Sequence, residues 1–120
     1  MRIIEAARTL DGEEPVEGYF SKLRNSRRRG DTQRLADIGL VFEEYGRHGT
    51  LRIPRELNEL RDDLREIKVG DVRFPFYEVD DGKHSSIVAR LTGGFPKQTL
   101  RTPRQQIDKA LWVMREDRQS

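Results

Sequence analysis

The spacing of the apolar residues changes along the chain, and this change restricts the fold more than any other feature of the sequence. Before residue 46, apolar residues recur at helical spacing and form two stripes. The first stripe contains Val16, Tyr19, Phe20 and Leu23, and the second contains Leu35, Ile38, Phe42 and Tyr45. From residue 64 to residue 92, short strand-like runs separated by turn residues replace that spacing. The sequence therefore predicts an α+β domain in which two helices precede a run of three strands.

The ends of the two N-terminal helices are also predicted from local signals. Pro15 is favourable in the first turn of a helix, and Gly30 is expected to end this helix in a left-handed cap. Asp31 or Thr32 is expected to cap the second helix, and Gly46 is expected to end it. A short turn between the two helices favours an antiparallel pair.

Four segments have the character of strands. A short first segment covers residues 2–7, and three later segments cover 64–69, 72–79 and 85–92. Pro75 predicts an edge position or a bulge in the third segment, because proline has no N–H to donate to a neighbouring strand. Alternation in the second segment predicts one face with Arg65, Ile67 and Val69 and an opposite face with Leu64, Glu66 and Lys68.

A last helix is predicted over residues 103–116. Its start carries the signals of a capping box, with Thr102 at the N-cap, Pro103 at the first helical position and Gln105 at the third. Residues 47–60 are open between a loop and a third short helix, and Pro54 argues against a central strand there. The predicted order is β-α-α-β-β-β-α, with a small and predominantly antiparallel sheet.

Composition limits the classes of function. The 120 residues predict a single domain over 1–120. The chain has no cysteine and two histidines, which argues against a disulfide framework, a thiol nucleophile and a histidine-rich metal site. We therefore expect no metal and no other cofactor. The sequence has neither a long apolar segment nor the pattern of a secretory signal, so we expect a cytoplasmic protein.

The charge is unevenly distributed, although 23 basic and 21 acidic residues nearly cancel. Residues 83–120 carry eight basic and three acidic side chains. A second basic cluster contains Lys22, Arg24, Arg27, Arg28, Arg29 and Arg34. Such clusters are typical either of a surface for an anionic partner or of a solvated helix face.

Three motifs in the C-terminal half follow the order and spacing of a known family. The run LREIKV (64–69) is similar to the family strand L-x-E-L-R, with Lys68 at the usual arginine position. Arg73 and the aromatic residues after it resemble the next family strand. The run GFPKQTLRTP (94–103) looks like G-F-x-K-K-x-x-K-T-P before the last helix. On these motifs, residues 64–111 resemble the phage-derived, HigB-like branch of the RelE/ParE toxins of type II toxin–antitoxin systems.

The resemblance implies a fold, an activity and partners. The fold is a small α+β domain whose sheet carries an N-terminal helical hairpin and a C-terminal helix. The activity is a metal-independent endonuclease (an mRNA interferase) that cleaves mRNA in the A site of the ribosome and so inhibits translation. The partners are the ribosome, its mRNA and a HigA-like antitoxin with a helix-turn-helix domain, which forms a 2:2 complex with the toxin.

The resemblance also implies catalytic positions, which fall on Lys68, Arg73 and Lys97. In this chemistry a ribose 2′-OH attacks the adjacent phosphate, so a base must accept a proton and a cation must stabilise the transition state. An arginine does not serve as the base at neutral pH, whereas a lysine can if burial or neighbouring cations depress its pKa. We expect Arg73 to bind phosphate and Lys68 to stabilise charge or transfer a proton. The residues expected to contact RNA are Arg65, Arg90, Arg101 and Tyr77.

Each of these residues also has a structural interpretation. Lys68 can form an ion pair with Glu66 or Glu78. Arg73 can form one with Asp71 or Glu78. A tyrosine on a strand, such as Tyr77, is often part of the core.

The sequence departs from the family pattern at two positions. Gly93 replaces a frequent histidine, and Gln98 replaces the second lysine of the K-K pair. The sequence therefore offers no obvious residue for proton transfer. Two alternatives therefore stay open. One is a ParE-like toxin that inhibits gyrase, and the other is a non-catalytic, phage-derived regulator that binds nucleic acid through Arg27, Arg28 and Arg29.

Overall fold

The computed structural model describes residues 2–80, 82, 86–97 and 102–120, and a single mixed β-sheet lies at its centre. The strands are β1 (Arg2–Ala6), β2 (Leu57–Glu59), β3 (Arg65–Val69), β4 (Val72–Asp80), β5 (Ile87–Leu91) and β6 (Phe95–Pro96). The helices are α1 (Pro15–Arg24), α2 (Asp31–His48) and α3 (Arg104–Gln119), and a short 3-10 turn covers Pro54–Glu56. The predicted α+β class is confirmed.

The strands follow the order β1-β5-β4-β3-β2, and β6 lies beside the start of β4. β1 runs parallel to β5, with Arg2 opposite Ile87 and Ala6 opposite Leu91. All other pairings in the described sheet are antiparallel, as predicted. The sequence did not predict β2 or β6, because each is too short to show alternation.

The predicted edge position of Pro75 is wrong, whereas the alternative, a bulge, is present beside it. Between the pairs Phe76–Leu91 and Arg73–Phe95, two residues of β4 lie opposite the three residues 92–94, so the extra residue belongs to the partner segment. Pro75 pairs with Glu66 in a regular β3–β4 register, and β4 pairs with β5 and β6 on its other side. The Pro75 carbonyl accepts hydrogen bonds from the N–H and the hydroxyl of Thr92 at 2.9 and 3.1 Å. The Pro75 nitrogen, which has no hydrogen to donate, faces the same neighbour as this carbonyl. That neighbour is the segment between the end of β5 at Leu91 and the start of β6 at Phe95. A central strand tolerates proline there because no partner strand requires the donor.

Helices α1 and α2 cover one face of the sheet, and α3 packs on the other face. At the centre of the first interface, the buried Phe74 ring has the rings of three aromatic residues around it, with centroids 5.0–5.7 Å away. These three residues are Tyr19, Phe20 and Phe42. Ile67 and Val69 belong to this cluster, whereas Leu64 packs with α3. The predicted alternation of β3 is therefore confirmed.

The turn between α1 and α2 differs from the prediction. α1 ends at Arg24 rather than at Gly30. The Ser26 hydroxyl donates to the Asp31 carboxylate at 2.5 Å and accepts a hydrogen bond from the Arg28 N–H at 3.0 Å. Because this carboxylate is directed to Ser26, it does not cap α2, whose N-cap is Gly30. The expected cap by Asp31 or Thr32 is therefore wrong.

The predicted end of α2 at Gly46 is also wrong. The helix continues to His48 and ends at Gly49, which has a φ of 69° and donates its N–H to the Tyr45 carbonyl at 2.8 Å. A positive φ is the conformation that favours glycine after the last helical turn. No helix in the described part of the chain has the length and apolar character needed to cross a membrane.

Candidate functional site

Three basic residues from the sequence-based site lie together on the α3 face of the sheet, beside the β3–β4 turn. Lys68 and Arg73 are direct cross-strand partners, and Phe95 of β6 pairs with Arg73 on the other side. Lys97 follows β6, and its backbone N–H donates to the Asp71 carbonyl at 2.6 Å. Arg73 and Lys68 both act electrostatically on the Lys97 ammonium. We refer to Lys68, Arg73 and Lys97 as the cation cluster.

The Arg73 guanidinium is held by the backbone of the turn. Its Nη1 donates to the carbonyls of Gly70 and Val72 at 2.8 and 3.1 Å. Its Nε is buried and has no hydrogen-bond partner among the described residues. Buried donors normally find an acceptor. Nε is closed to solvent, but Nη2 makes no hydrogen bond with a described residue, so its donors are left for an anionic ligand that enters the site.

The ion pairs that offered a structural interpretation of Lys68 and Arg73 do not form among the described residues. Asp71 instead pairs with Arg34, whose Nη1 lies 3.0 Å from the Asp71 carboxylate. Glu78 pairs with Arg2 at 2.6 Å, on the opposite face of the sheet. No described carboxylate lies within ion-pairing distance of Lys68 or Arg73, so their positive charges are not neutralised by this part of the chain.

Lys97 is the most buried member of the cation cluster, with 7% of its surface exposed. Burial lowers the pKa of Lys97 because it disfavours the charged form, and the positive charge of Arg73 lowers this pKa further. Glu66 acts in the opposite direction, and Lys68 adds a smaller lowering effect. Lys97 thus meets the condition under which a lysine can accept a proton.

Glu66 is a buried carboxylate next to the cation cluster, with 2% of its surface exposed. Thr102 Oγ1 lies 2.6 and 2.9 Å from the two carboxylate oxygens and donates to them. The predicted capping box is therefore wrong: the Thr102 hydroxyl bonds to β3, and Pro103 is the N-cap of α3 without a side-chain cap. Sequence reasoning missed Glu66 as part of the site, although the alternation of β3 places it on the same face as Lys68.

Tyr77 and Arg90 lie in a buried network at the end of α3, away from the cation cluster. The Tyr77 hydroxyl donates to the Asp117 carboxylate, and Arg90 Nη1 lies 3.1 Å from the same carboxylate. Arg90 also pairs with Glu5 at 3.2 Å. Burial, followed by the hydrogen bond to Asp117, raises the pKa of Tyr77. Tyr77 is 1% exposed, so it is a core residue, as the structural interpretation of this tyrosine predicted.

Arg65 lies on the opposite face of the sheet from the cation cluster. Its Nη1 lies 3.2 Å from the Tyr45 hydroxyl and 3.5 Å from the Glu78 carboxylate, and its guanidinium covers the Phe76 ring. Arg101 lies outside the described residues. The structure therefore brings together the three expected catalytic residues and separates Arg65, Arg90 and Tyr77 from them.

Comparison of the sequence with known proteins gives no family. No protein-family model matches the chain, and a search of curated proteins finds no significant match. Conclusions about function therefore depend on the residues and on their geometry.

Proposed function

We propose that this protein is the toxin of a type II toxin–antitoxin system, of the HigB-like branch of the RelE/ParE superfamily, and that it cleaves mRNA on the ribosome in the cytoplasm. The main support is the cation cluster, in which residues of three separate chain segments converge without carboxylate partners for Lys68 and Arg73 among the described residues. Such a cluster stabilises the negative charge that develops on a phosphate during transfer. The motifs of residues 64–111 support the same assignment.

The proposed reaction is a transesterification within RNA. The 2′-oxygen of one ribose forms a bond to the adjacent phosphorus while the bond from phosphorus to the 5′-oxygen breaks. The products are a 2′,3′-cyclic phosphate and a new 5′-hydroxyl end. The reaction needs a base for the 2′-OH, cations for the non-bridging oxygens and an acid for the 5′-oxygen.

The geometry favours a division of these roles within the cation cluster. Lys97 in its neutral form accepts the proton of the 2′-OH, because its pKa is lowered. The Arg73 guanidinium binds the non-bridging phosphate oxygens through the donors that the turn carbonyls leave unused. The Lys68 ammonium stabilises charge and donates a proton to the 5′-oxygen. The role of the base therefore falls to Lys97, whereas Lys68 keeps the roles expected from the sequence, which are to stabilise charge and to transfer a proton as the acid.

The same proposal includes the partners that the family resemblance implies. These are the ribosome with its mRNA and a HigA-like helix-turn-helix antitoxin in a 2:2 complex. The antitoxin neutralises the toxin either by covering the cation cluster or by binding another surface.

The test is to express the chain from a tightly repressed promoter and to map mRNA 5′ ends by primer extension. The variants are Lys68→Ala, Arg73→Ala and Lys97→Ala, and Arg115→Ala is the control because this arginine is exposed and lies near the end of α3 that is away from the cluster. New in-frame cuts and growth arrest are expected for the wild type and the control, but not for the three variants. Growth arrest with intact mRNA would contradict the proposal and favour a gyrase-inhibiting toxin. Absence of both effects would favour a non-catalytic regulator.

A further inference from the structure

A second basic surface lies beside the cation cluster. A groove of about 730 Å³ runs between α1, the turn from α1 to α2, and the β3–β4 turn. Its basic lining residues are Lys22, Arg28, Arg29, Arg34 and Lys109. The first four belong to the N-terminal basic cluster of the sequence, and Lys109 comes from α3 in the basic C-terminal segment. The fold thus joins two separate basic segments, and we refer to this surface as the basic groove.

The acidic residues in the lining do not neutralise the basic groove. They are Asp31, which accepts the Ser26 hydroxyl, and Asp71, which pairs with Arg34. Arg34 also donates a hydrogen bond to the Tyr19 phenol. No ion pair with a described carboxylate forms at the remaining basic residues, Lys22, Arg28, Arg29 and Lys109. The groove therefore attracts a ligand that carries several negative charges.

The basic groove and the cation cluster share one boundary. Pro96 of β6 and Asp71 of the β3–β4 turn both line the groove. Lys97 is the next residue after Pro96, and its N–H is bonded to the Asp71 carbonyl. A phosphate chain bound at the cation cluster therefore needs only to cross β6 to reach the basic groove.

We propose that the basic groove binds the phosphodiester backbone of the single-stranded RNA that flanks the bond to be cleaved. This inference rests on the proposed function, because it extends the substrate of that site. Two of the lining cations are exposed arginines, Arg28 and Arg29, whose planar guanidinium groups match phosphate oxygens. A positively charged groove that follows the backbone is the usual way in which proteins hold single strands. The groove extends the bound strand on one side of the cut and contributes affinity that does not depend on the base sequence.

The test measures RNA binding by the full-length chain without cleavage. The probe is a fluorescein-labelled, 2′-O-methylated oligoribonucleotide of about 12 nucleotides, which has no free 2′-OH and spans a typical single-strand site. Fluorescence anisotropy gives the Kd over a series of salt concentrations. The test variant is the double substitution Arg28→Gln, Arg29→Gln. The matched control is Arg52→Gln, Arg55→Gln, which removes the same charge at exposed positions outside the groove.

The groove variant is expected to bind the probe roughly tenfold more weakly, and the slope of log Kd against log salt is expected to fall by about 1.4, or 0.7 for each lost phosphate contact. The control should bind as the wild type does. Equal binding by the groove variant and the wild type, or an equal loss in the control, would overturn the proposal. So would equal affinity for an RNA duplex of the same length. Because the probe is not cleaved, a failure of the proposed endonuclease activity would leave this result interpretable.

Discussion

Lys68 of β3 and Arg73 of β4 lie directly opposite each other across the hairpin that turns at Gly70 and Asp71. Like charges in this arrangement destabilise an antiparallel pair. The nearest acidic residue of the turn, Asp71, pairs with Arg34 and does not relieve this repulsion. A protein under selection for stability alone has no reason to keep such a pair, whereas a site that binds phosphate needs both charges.

Substitution of Lys68 by methionine should therefore stabilise the fold and reduce cleavage. Loss of the repulsion is expected to raise the free energy of unfolding by about 0.2–1 kcal/mol. Urea denaturation of the purified protein gives this value. Lys68→Arg keeps the repulsion and should unfold at the wild-type urea concentration. If Lys68→Met unfolded at a lower urea concentration than the wild type, Lys68 would contribute to stability instead.

Cleavage should increase with pH as Lys97 loses its proton. Only the neutral amine accepts a proton, and the pKa of Lys97 lies below its ordinary value of 10.5 because of burial and the charge of Arg73. The single-turnover rate is expected to rise with pH through this lowered pKa. The variant Lys97→Arg should lose both the rate and its rise, because arginine stays protonated.

The pKa of Lys97 can also be measured directly by NMR on its labelled side chain. Lys68→Met removes a positive neighbour and should raise the pKa of Lys97, whereas Glu66→Gln removes a negative neighbour and should lower it further. Titration of Lys97 at the ordinary value in the wild type would contradict the assignment of Lys97 as the base.

The hydroxyl of Thr102 should matter for stability through Glu66. Thr102→Val keeps the shape of the side chain but leaves the buried carboxylate without this donor, which is expected to cost about 1–3 kcal/mol. Thr102→Ser retains the hydroxyl and should lose much less. Thermal unfolding of the two variants and the wild type tests the difference, and equal melting temperatures for valine and serine would contradict the structural role of this bond.

Gly94 should be intolerant of alanine, whereas the neighbouring Gly93 should accept it. A Cβ at Gly94 would lie 2.8 Å from Cε1 of Phe74, and a Cβ at Gly93 would have no atom within 4 Å. Crowding of a packed core is expected to cost about 1–3 kcal/mol for Gly94→Ala. Chemical denaturation of both variants measures the difference, and similar destabilisation would show that the contact with Phe74 is not the cause.

Elements with a sustained pattern could be predicted from the sequence, but most of their ends could not. The stripe that ends in Tyr45 predicted α2, and the change of spacing after it predicted the strands. Gly46 and Gly49 are equally good local signals for the end of α2, yet of these two only Gly49 has a positive φ. A Cβ at Gly46 would lie 3.2 Å from the Arg2 carbonyl oxygen, so this glycine allows α2 to approach β1. That requirement comes from tertiary packing, which local signals do not contain.

The candidate site was predictable in a similar, partial way. The order of the motifs indicated Lys68, Arg73 and Lys97, and the β3–β4 hairpin brings the first two together. The bond between Glu66 and Thr102 joins residues that are 36 positions apart, and capping signals predicted a different role for Thr102. The sequence indicated Tyr77 as a residue that contacts RNA and did not reveal its buried partner, Asp117, which lies 40 positions away at the far end of α3.

The pairing of β1 with β5 has a consequence for synthesis of the protein. β1 leaves the ribosome long before the strand that it pairs with, because its parallel partner β5 begins at Ile87. Domains fold as units during translation, and contacts between distant segments form late. The pairing of β1 with β5 therefore waits until Leu91 has emerged, and Lys97 and Thr102 follow later still. A nascent chain that stops before residue 97 carries Lys68 and Arg73 but has no complete cation cluster. Under the proposed function, such a chain would not cleave the mRNA of the ribosome that makes it.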